Sequence, residues 1–338
     1  MTDNWLDVES GLDIPGLCFR RFRGESDYAS MAEVLTGSQR ADGYDRMVTR
    51  EDIAAAYAAS LRNCDPRTDM IMAEVAGRLV GYGRVWWEQE SPTRYLYKHN
   101  GFILPAWRRK GIGRALLGWM ESRLQDIAGA HPGESDKYFQ ASVSQFQENT
   151  AILLDRAGYQ PVRYFFEMVR SNLEDIPDIP LPDGLEIRPV TADRYRAIWE
   201  STRDAYQEEW GVPEPTEADY QKWLEDPLFQ PELWQIAWDQ DTGQPAGHVL
   251  TYINHEENRQ FNRKRGYTEG VGVCRDWRRR GVARALISRS LQAQKAAGMV
   301  ESALVADTDS ASGVTRLYES CGFQIVKCDT IYRKPLKK

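Results

Sequence analysis

Two stretches of the sequence are nearly the same: residues 107–117 read WRRKGIGRALL, and residues 277–287 read WRRRGVARALI. Seven of these eleven positions are identical. The halves also begin alike, with GLCFR at residue 16 and GLEIR at residue 184, and end alike, with GYQPVR at residue 158 and GFQIVK at residue 322. Three matches in the same order, 164 to 170 residues apart, predict one fold that occurs twice in the chain.

The segment between the two copies, residues 171–183, reads SNLEDIPDIPLPD. Its three prolines lack backbone donors, and its four acidic residues favour contact with water, so it is typical of a linker. The sequence therefore predicts an N-terminal domain over residues 1–170, a linker over 171–183 and a C-terminal domain over 184–338.

Composition excludes several classes of protein. The 338 residues contain 43 Lys and Arg against 50 Asp and Glu, a net charge of −7, so we expect neither a nucleic-acid partner nor an anionic membrane surface. No apolar run approaches the roughly 20 residues of a membrane helix, and the acidic start does not resemble a secretory signal, which indicates a cytoplasmic protein. The five scattered cysteines and four histidines predict no disulfide framework and no metal. We expect a monomer or a homodimer.

The apolar periodicity predicts an α/β (α+β) fold. In each copy a hairpin and a further strand lead into a glycine loop, and the helix after the first loop carries apolar residues at 3.6-residue spacing. This order predicts two tandem domains, each with a mixed, mostly antiparallel sheet flanked by helices. The predicted strands are 70–75, 79–86 and 95–104 in the first copy, and 234–238, 246–253, 267–274 and 299–307 in the second.

The two glycine loops suit a phosphate ligand. Small residues let a ligand approach the backbone, and the N-terminus of the following helix attracts a pyrophosphate. A solvated basic helix face is the alternative, and the repetition of the motif in both copies disfavours it. Neither loop reads GxxxxGK[ST] or GxGxxG, which excludes a nucleoside-triphosphate P-loop and a dinucleotide fingerprint.

The loops, RRKGIG from residue 108 and RRRGVA from residue 278, resemble the (Gln/Arg)-x-x-Gly-x-(Gly/Ala) signature of the GNAT superfamily of N-acetyltransferases. Residues 316–323, RLYESCGF, resemble the LYxxxGF segment of that family. The resemblance covers both halves and implies tandem GNAT domains that use acetyl-CoA as cosubstrate, without a metal. The residues that it implies for acetyl-CoA binding are Val271, Val273, Arg278, Arg279, Arg280, Gly281, Val282, Ala283 and Arg284. A second candidate pocket in the first copy comprises Ile103, Arg108, Arg109, Lys110, Gly111, Ile112, Gly113 and Arg114.

The resemblance also implies the catalytic groups. Tyr318 stands where members of the family use a tyrosine as general acid toward the departing thiolate, and Glu269 lies on the strand that leads to the loop, where some members place the general base. Asp307 and His255 are alternatives for the base. The structural alternatives are a tyrosine that only packs a helix and a glutamate that only lies at the surface. The implied reaction is direct attack of the primary amine of a small molecule on acetyl-CoA.

The copies differ at these positions. Leu154 corresponds to Tyr318 when both are counted back from the glycine-aromatic pair, and His99 corresponds to Glu269 at an offset of 170. A leucine cannot donate a proton, so we predict that the C-terminal domain is catalytic and that the N-terminal domain is degenerate, with a structural or CoA-binding role. Residues 307–312 offer Asp, Thr and Ser where the family often has an asparagine.

The acceptor is less well defined by the sequence. The polar residues 256–266 predict either a lid or a solvated loop, and residues 206–211 with Trp223, Trp234 and Trp238 predict either an acceptor pocket or part of the core. The tandem arrangement is also similar to that of the mycothiol synthases, whose C-terminal domain acetylates an amino-sugar thiol precursor. A non-catalytic acyl-CoA-binding or sensing protein is the other alternative.

Overall fold

The structure is a computed structural model that describes residues 5–8, 11–43, 47–58, 61–206, 216–308 and 315–336. Its elements follow one another in mixed α/β order. Those before the linker are β1 (Trp5–Leu6), β2 (Leu17–Arg20), α1 (Tyr28–Ala41), α2 (Arg50–Ala58), β3 (Met70–Val75), β4 (Arg78–Ser91), β5 (Arg94–Ile103), α3 (Ile112–Gly129), β6 (Asp136–Ser144), α4 (Glu148–Arg156) and β7 (Gln160–Arg170).

The elements after the linker follow a similar order, without a counterpart of β1 and with an additional helix, α7. They are β8 (Leu185–Ile187), α5 (Tyr195–Tyr206), α6 (Glu217–Leu224), β9 (Gln235–Asp239), β10 (Pro245–Val249), α7 (His255–Gln260), β11 (Arg265–Tyr267), β12 (Gly272–Val273), α8 (Val282–Ala296), β13 (Glu301–Thr308), α9 (Thr315–Ser320) and β14 (Gln324–Pro335).

The chain divides into two compact units. The first unit contains residues 1–163 and 329–338, and the second contains residues 164–328. These units differ from the predicted domains 1–170 and 184–338, because the end of each half pairs in the unit of the other half. Residues 329–335 of β14 pair with β6, and residues 164–170 of β7 pair with β13.

Each unit contains a mostly antiparallel sheet, which confirms the predicted fold class. In the first unit β1 to β6 lie side by side in sequence order, antiparallel except for the parallel pair β5 and β6. In the second unit β8, β9, β10 and β12 are antiparallel neighbours, and β11 runs parallel to β13. A bridge between Tyr252 and Tyr267 joins the segment after β10 to β11.

The helix after each glycine loop packs its apolar stripe against the sheet. Ile112 and Leu124 of α3 are completely buried, as are Leu286 and Ile287 of α8. Burial of such side chains stabilises each by about 1.5–3 kcal/mol relative to exposure. In the ranges given above, no helix has the length and apolar character needed to cross a membrane.

Three segments can be compared with their interpretations from the sequence. The polar segment 256–266 contains most of helix α7. The Asn254 side chain caps this helix by accepting a hydrogen bond from Glu257 N at 3.0 Å. Trp234 and Trp238 are buried and pack in a core cluster with Ile198, which supports the core interpretation of these aromatics. Linker residues 171–183 are not fully solvated, since Leu173 is buried in the core of the second unit. Residues 207–211 lie outside the described residues.

Candidate active site

The two glycine loops have the same backbone conformation. Arg109 and Arg279 have φ of 61° and 60°, and Gly111 and Gly281, the N-caps of α3 and α8, have φ of 91° and 88°. A left-handed arginine costs about 1–2 kcal/mol, and its recurrence in both units indicates a required geometry. Such turns direct successive N–H groups toward one point, a geometry that suits an anion at a helix N-terminus.

The first arginine of each motif ties its loop to the preceding strand. Arg108 Nε donates to the Ile103 carbonyl at 3.2 Å, and Arg278 Nε donates to the Val273 carbonyl at 3.1 Å. Arg108 also forms an ion pair with Asp42. These two side chains therefore hold the backbone of the loop in place.

The third basic residue of each motif packs on the tryptophan that begins the motif. Lys110 Nζ lies 4.8 Å from the centre of the Trp107 ring, and Arg280 Cζ lies 4.9 Å from that of Trp277. Cation–π contacts of this kind contribute about 0.5–1 kcal/mol at an exposed site. The repeated contact adds to the evidence that the loops have one architecture.

A cavity of about 710 Å³ opens beside the glycine loop of the first unit. The ladder between β5 and β6 ends at the pair Lys98 and Gln140, and the strands diverge beyond it. The cavity lies in this gap. Its lining includes several residues predicted for acetyl-CoA binding: Ile103, Arg108, Arg109, Gly111, Gly113 and Arg114.

The candidate catalytic positions of this first cavity hold one residue without an ionisable group and one histidine with a lowered pKa. Leu154 is buried and lines the cavity. His99 also lines it, but its Nε2 lies 2.8 Å from the Tyr159 hydroxyl, and burial lowers the pKa of His99 to about 4. A base with that pKa is too weak to deprotonate an ammonium group efficiently near neutral pH.

The second unit differs from the first by a β-bulge in the strand that leads to the loop. Gly247 lies opposite Val273, and Tyr252 lies opposite Tyr267, so the strand has one more residue than its neighbour between these pairs. Gly270 supplies the left-handed conformation of the bulge, with φ of 56°. An isolated glycine in a strand pattern is the sequence signal for such a bulge.

The bulge corrects the correspondence between His99 and Glu269. In the first unit Gly81 lies opposite Ile103 and Val85 opposite His99, with no extra residue. In the second unit Leu250 bonds to Glu269, and Tyr252 bonds to Tyr267. Thr251 lies between these two pairs and is therefore opposite Thr268. Val85 and Thr251 are counterparts on the neighbouring strands, which contain no extra residue. The residue opposite Val85 is His99 and the residue opposite Thr251 is Thr268, so His99 corresponds to Thr268. Glu269 belongs to the bulge itself.

Glu269 reaches across the gap between the diverging strands. Its Oε1 accepts a hydrogen bond from Val305 N of β13 at 3.0 Å. Burial raises the pKa of Glu269 to about 7, and the hydrogen bond from Val305 acts in the opposite direction. A carboxylate with a pKa near neutrality is suited to accept a proton from an amine.

The other predicted catalytic candidates lie in different surroundings. Tyr318 is buried on α9 and packs edge-to-face on Phe323, with ring centres 6.3 Å apart. Its counterpart Leu154 lines the cavity of the first unit. His255 is an exposed first residue of α7, and Asp307 pairs with Phe165 across β13 and β7. Residues 309–314 lie outside the described part of the chain.

Two tyrosines lie near Glu269 that the sequence did not predict as site residues. Tyr252 and Tyr267 stack with ring centres 4.8 Å apart. The Tyr267 hydroxyl donates to Glu257 Oε1 at 2.6 Å and accepts from Arg263. Tyr267 and Glu269 are two residues apart, a spacing that places strand side chains on one face. Polar and aromatic groups therefore border the Glu269 carboxylate.

Comparisons with known proteins agree with this geometry. Residues 195–323 match the family model described as "Acetyltransferase (GNAT) family", and residues 66–161 match one described as "Acetyltransferase (GNAT) domain". A protein from Geodermatophilus obscurus named mycothiol acetyltransferase is 25% identical over 269 residues, which cover 79% of this chain and 82% of that protein.

Two solved structures share the fold over most of the chain. A GCN5-related N-acetyltransferase from Sphaerobacter thermophilus superposes with a TM-score of 0.71 and 24% identity, covering 95% of this chain and 96% of that one. A tandem GNAT protein from the clavulanic acid biosynthesis pathway gives a TM-score of 0.58 and 14% identity, covering 95% and 99%.

Proposed function

The chain belongs to the GNAT family of acetyl-CoA-dependent N-acetyltransferases, and from that membership we propose that its second unit acetylates the primary amine of a small molecule. The observation that carries the proposal is Glu269, a carboxylate with a pKa near 7 at the bulge where the strands diverge. The first unit has no bulge at this place.

In this proposal Glu269 accepts a proton from the ammonium form of the acceptor, directly or through water. The neutral amine attacks the thioester carbonyl, the adduct nitrogen loses its second proton to solvent, and collapse of the tetrahedral adduct breaks the carbon–sulfur bond. The Tyr318 hydroxyl donates its proton to the departing thiolate and is reprotonated from solvent. A phenol has an ordinary pKa near 10, which is close enough to that of a thiol for efficient transfer.

We assign acetyl-CoA binding to the backbone of the second glycine loop. The amides of Val282, Ala283 and Arg284 lie in the first turn of α8, where N–H groups have no partner within the helix. The left-handed Arg279 and Gly281 shape the turn before them. Val271 and Val273 follow Gly270 on the way to the loop, and in this proposal they offer backbone groups to the pantetheine arm.

A second binding role is proposed for the first unit. Its cavity of about 710 Å³ and its matching loop conformation favour an acyl-CoA ligand, while His99 and Leu154 disfavour turnover. This unit then binds acyl-CoA without reacting with it.

The relatives favour one acceptor class among small amines. Because proteins named mycothiol acetyltransferase align with most of this chain, a mycothiol-type acceptor is the first compound class to test. At about 25% identity the acceptor stays a proposal, and a panel of other primary amines belongs in the same assay.

Release of the CoA thiol from acetyl-CoA, measured with that panel, tests the proposal. Tyr318→Phe should lower turnover by about 10² to 10⁴ if Tyr318 is the acid. Tyr159→Phe, which removes a buried hydroxyl from the first unit, is the matched control and should retain turnover. Equal loss in both variants, or unchanged turnover in Tyr318→Phe, would exclude the proposed role.

A further inference from the structure

A cluster of polar side chains is buried directly beneath the bulge of the second unit. Each of its members is at most 1% exposed to solvent. They come from the segment after β10, the residue after β11, helix α8 and strand β13, and are Thr251, Thr268, Ser290, Gln294 and Ser302. Buried polar groups lose their hydration, so a cluster of this size persists only when its members bond to one another.

The Thr268 hydroxyl is the centre of the cluster. Its Oγ1 accepts from Gln294 Nε2 at 2.9 Å and lies 2.9 Å from Ser302 Oγ. Ser290 Oγ accepts from Gln294 Nε2 at 3.1 Å and lies 2.6 Å from Thr251 Oγ1. The network thus links both neighbouring strands and the helix to one residue of the bulged strand.

The helix side of the network requires a particular backbone. Gln294 packs against the Cα of Gly266, where an added Cβ would overlap with Gln294 Oε1. Gly266 lies in β11 opposite Ser302. The glycine therefore lets the Gln294 amide reach the end of β11, next to Thr268.

The first unit has a largely apolar core at the same five places. Counted from the glycine loops and the strand pairs, the counterparts are Val85, His99, Met120, Leu124 and Phe139, which are all buried. A well-packed apolar core stabilises a fold at least as well as a buried polar cluster. Stability alone therefore does not explain why the unit with the bulge uses hydroxyls and an amide here.

The position of Glu269 supplies a reason. Thr268 N donates to the Ala303 carbonyl at 2.9 Å, which is the last backbone bond beside the gap, and Glu269 follows immediately. Alternation along a strand directs the Glu269 side chain to the face opposite Thr268, where it meets Val305 N. Any rotation of the chain at Thr268 would move the carboxylate away from this bond.

We propose that Thr268, held by Ser290 and Gln294, is a positioning residue that fixes the bulge and thereby the Glu269 carboxylate. The inference rests on the proposed role of Glu269 as the general base. It assigns the network no contact with substrate.

Thr268→Val tests the proposal because valine retains the shape of threonine and lacks its hydroxyl. We expect kcat to fall roughly tenfold or more, with little change in KM, because small displacements of a catalytic group have large effects on rate. The midpoint of the pH profile of kcat/KM should move to lower pH as the carboxylate becomes more exposed. Gln294→Leu, which installs the residue found at Leu124, should have the same effects.

Ser288→Ala is the matched control. Ser288 is a buried hydroxyl on the same helix that donates to the Pro177 carbonyl and not to the network. It should leave kcat and the pH midpoint unchanged, even where it lowers thermal stability.

Titration of the Glu269 carboxyl carbon by NMR in the ligand-free protein separates this inference from the proposed function. A lowered pKa of Glu269 in Thr268→Val supports the positioning role, whether or not an acceptor is turned over. An unchanged titration of Glu269 in Thr268→Val and Gln294→Leu would overturn it. Absence of turnover by the wild-type chain with every amine would count against the proposed function alone.

Discussion

The Glu269 carboxylate accepts a hydrogen bond from the backbone N–H of Val305, with Oε1 3.0 Å from the nitrogen. The two residues lie on strands that pair further back, at Tyr267 and Ala303, and diverge beyond that pair. A side chain thus bridges the strands where the backbone ladder has ended. Its position in the gap gives Glu269 both its burial and its elevated pKa.

This burial predicts a stability effect that depends on pH. The pKa of Glu269 is raised in the folded state, so protonation favours folding, and the associated stability is present at low pH and lost as pH rises from about 4 to about 7. Glu269→Gln should therefore raise the melting temperature at pH 8 relative to wild type and have little effect at pH 4. Calorimetry at the two pH values checks this, and equal effects at both would contradict it.

Burial of His99 predicts the opposite pH dependence. Its pKa is lowered to about 4, so its contribution to stability is present above the ordinary pKa near 6.5 and is lost as pH falls toward 4. His99→Gln should reduce the loss of stability between pH 6.5 and 4, and turnover at pH 7 should not change. Urea unfolding across this range measures the effect. An unaltered acid sensitivity would show that His99 is not its source.

The left-handed glycine of the second loop predicts a binding effect. Gly281→Ala places a side chain at φ of 88° with no neighbouring atom within 4 Å, so the strain arises from the backbone alone. A cost of about 1–2 kcal/mol corresponds to a rise of roughly 5- to 30-fold in the KM for acetyl-CoA. Gly298→Ala, at φ of 83° and equally open, is the matched control outside the loop. Equal KM values in the two variants would argue against loop binding.

The pairing of β14 with β6 predicts that β14 contributes to the stability of the first unit. Arg333 is buried, and its guanidinium bonds to Gln140 Oε1 at 2.7 Å and to Glu90 Oε1 at 2.6 Å. Arg333→Ala removes this partner while Glu90 keeps its ion pair with Arg94. We therefore expect the free energy of unfolding to fall by about 1.5–3 kcal/mol. Chemical denaturation measures the loss. Glu90→Gln in the same background should restore part of it, and no restoration would contradict the ion-pair explanation.

Local features of the fold and site were predictable from the sequence. The glycine loops, their helices and the strand before the first loop follow from short motifs and apolar periodicity, because local conformation decides them. The predicted strand 267–274 before the second loop is interrupted, since β11 ends at Tyr267 and β12 begins at Gly272. Leu154 and Tyr318 could be paired because a glycine and an aromatic residue follow each of them at the same distance.

Long-range features were not predictable in the same way. The offset of 170 between the two glycine loops does not reveal the extra residue at Gly270. That residue changes the counterpart of His99 from Glu269 to Thr268. The pairing of β14 with β6 likewise could not be predicted. The sequence of each half shows that a strand ends it but not which strand it pairs with. Tyr252 and Tyr267 meet through sheet pairing between residues that are 15 positions apart.

The pH dependence of kcat/KM in wild type and Glu269→Gln tests the central claim most directly. The wild-type profile should rise with pH through a midpoint near 7, because the base acts only when deprotonated. Glu269→Gln should lower the plateau by about 10² to 10⁴ and lack that rise. A Glu269→Gln profile with the wild-type midpoint and plateau would contradict the assignment of Glu269 as the base.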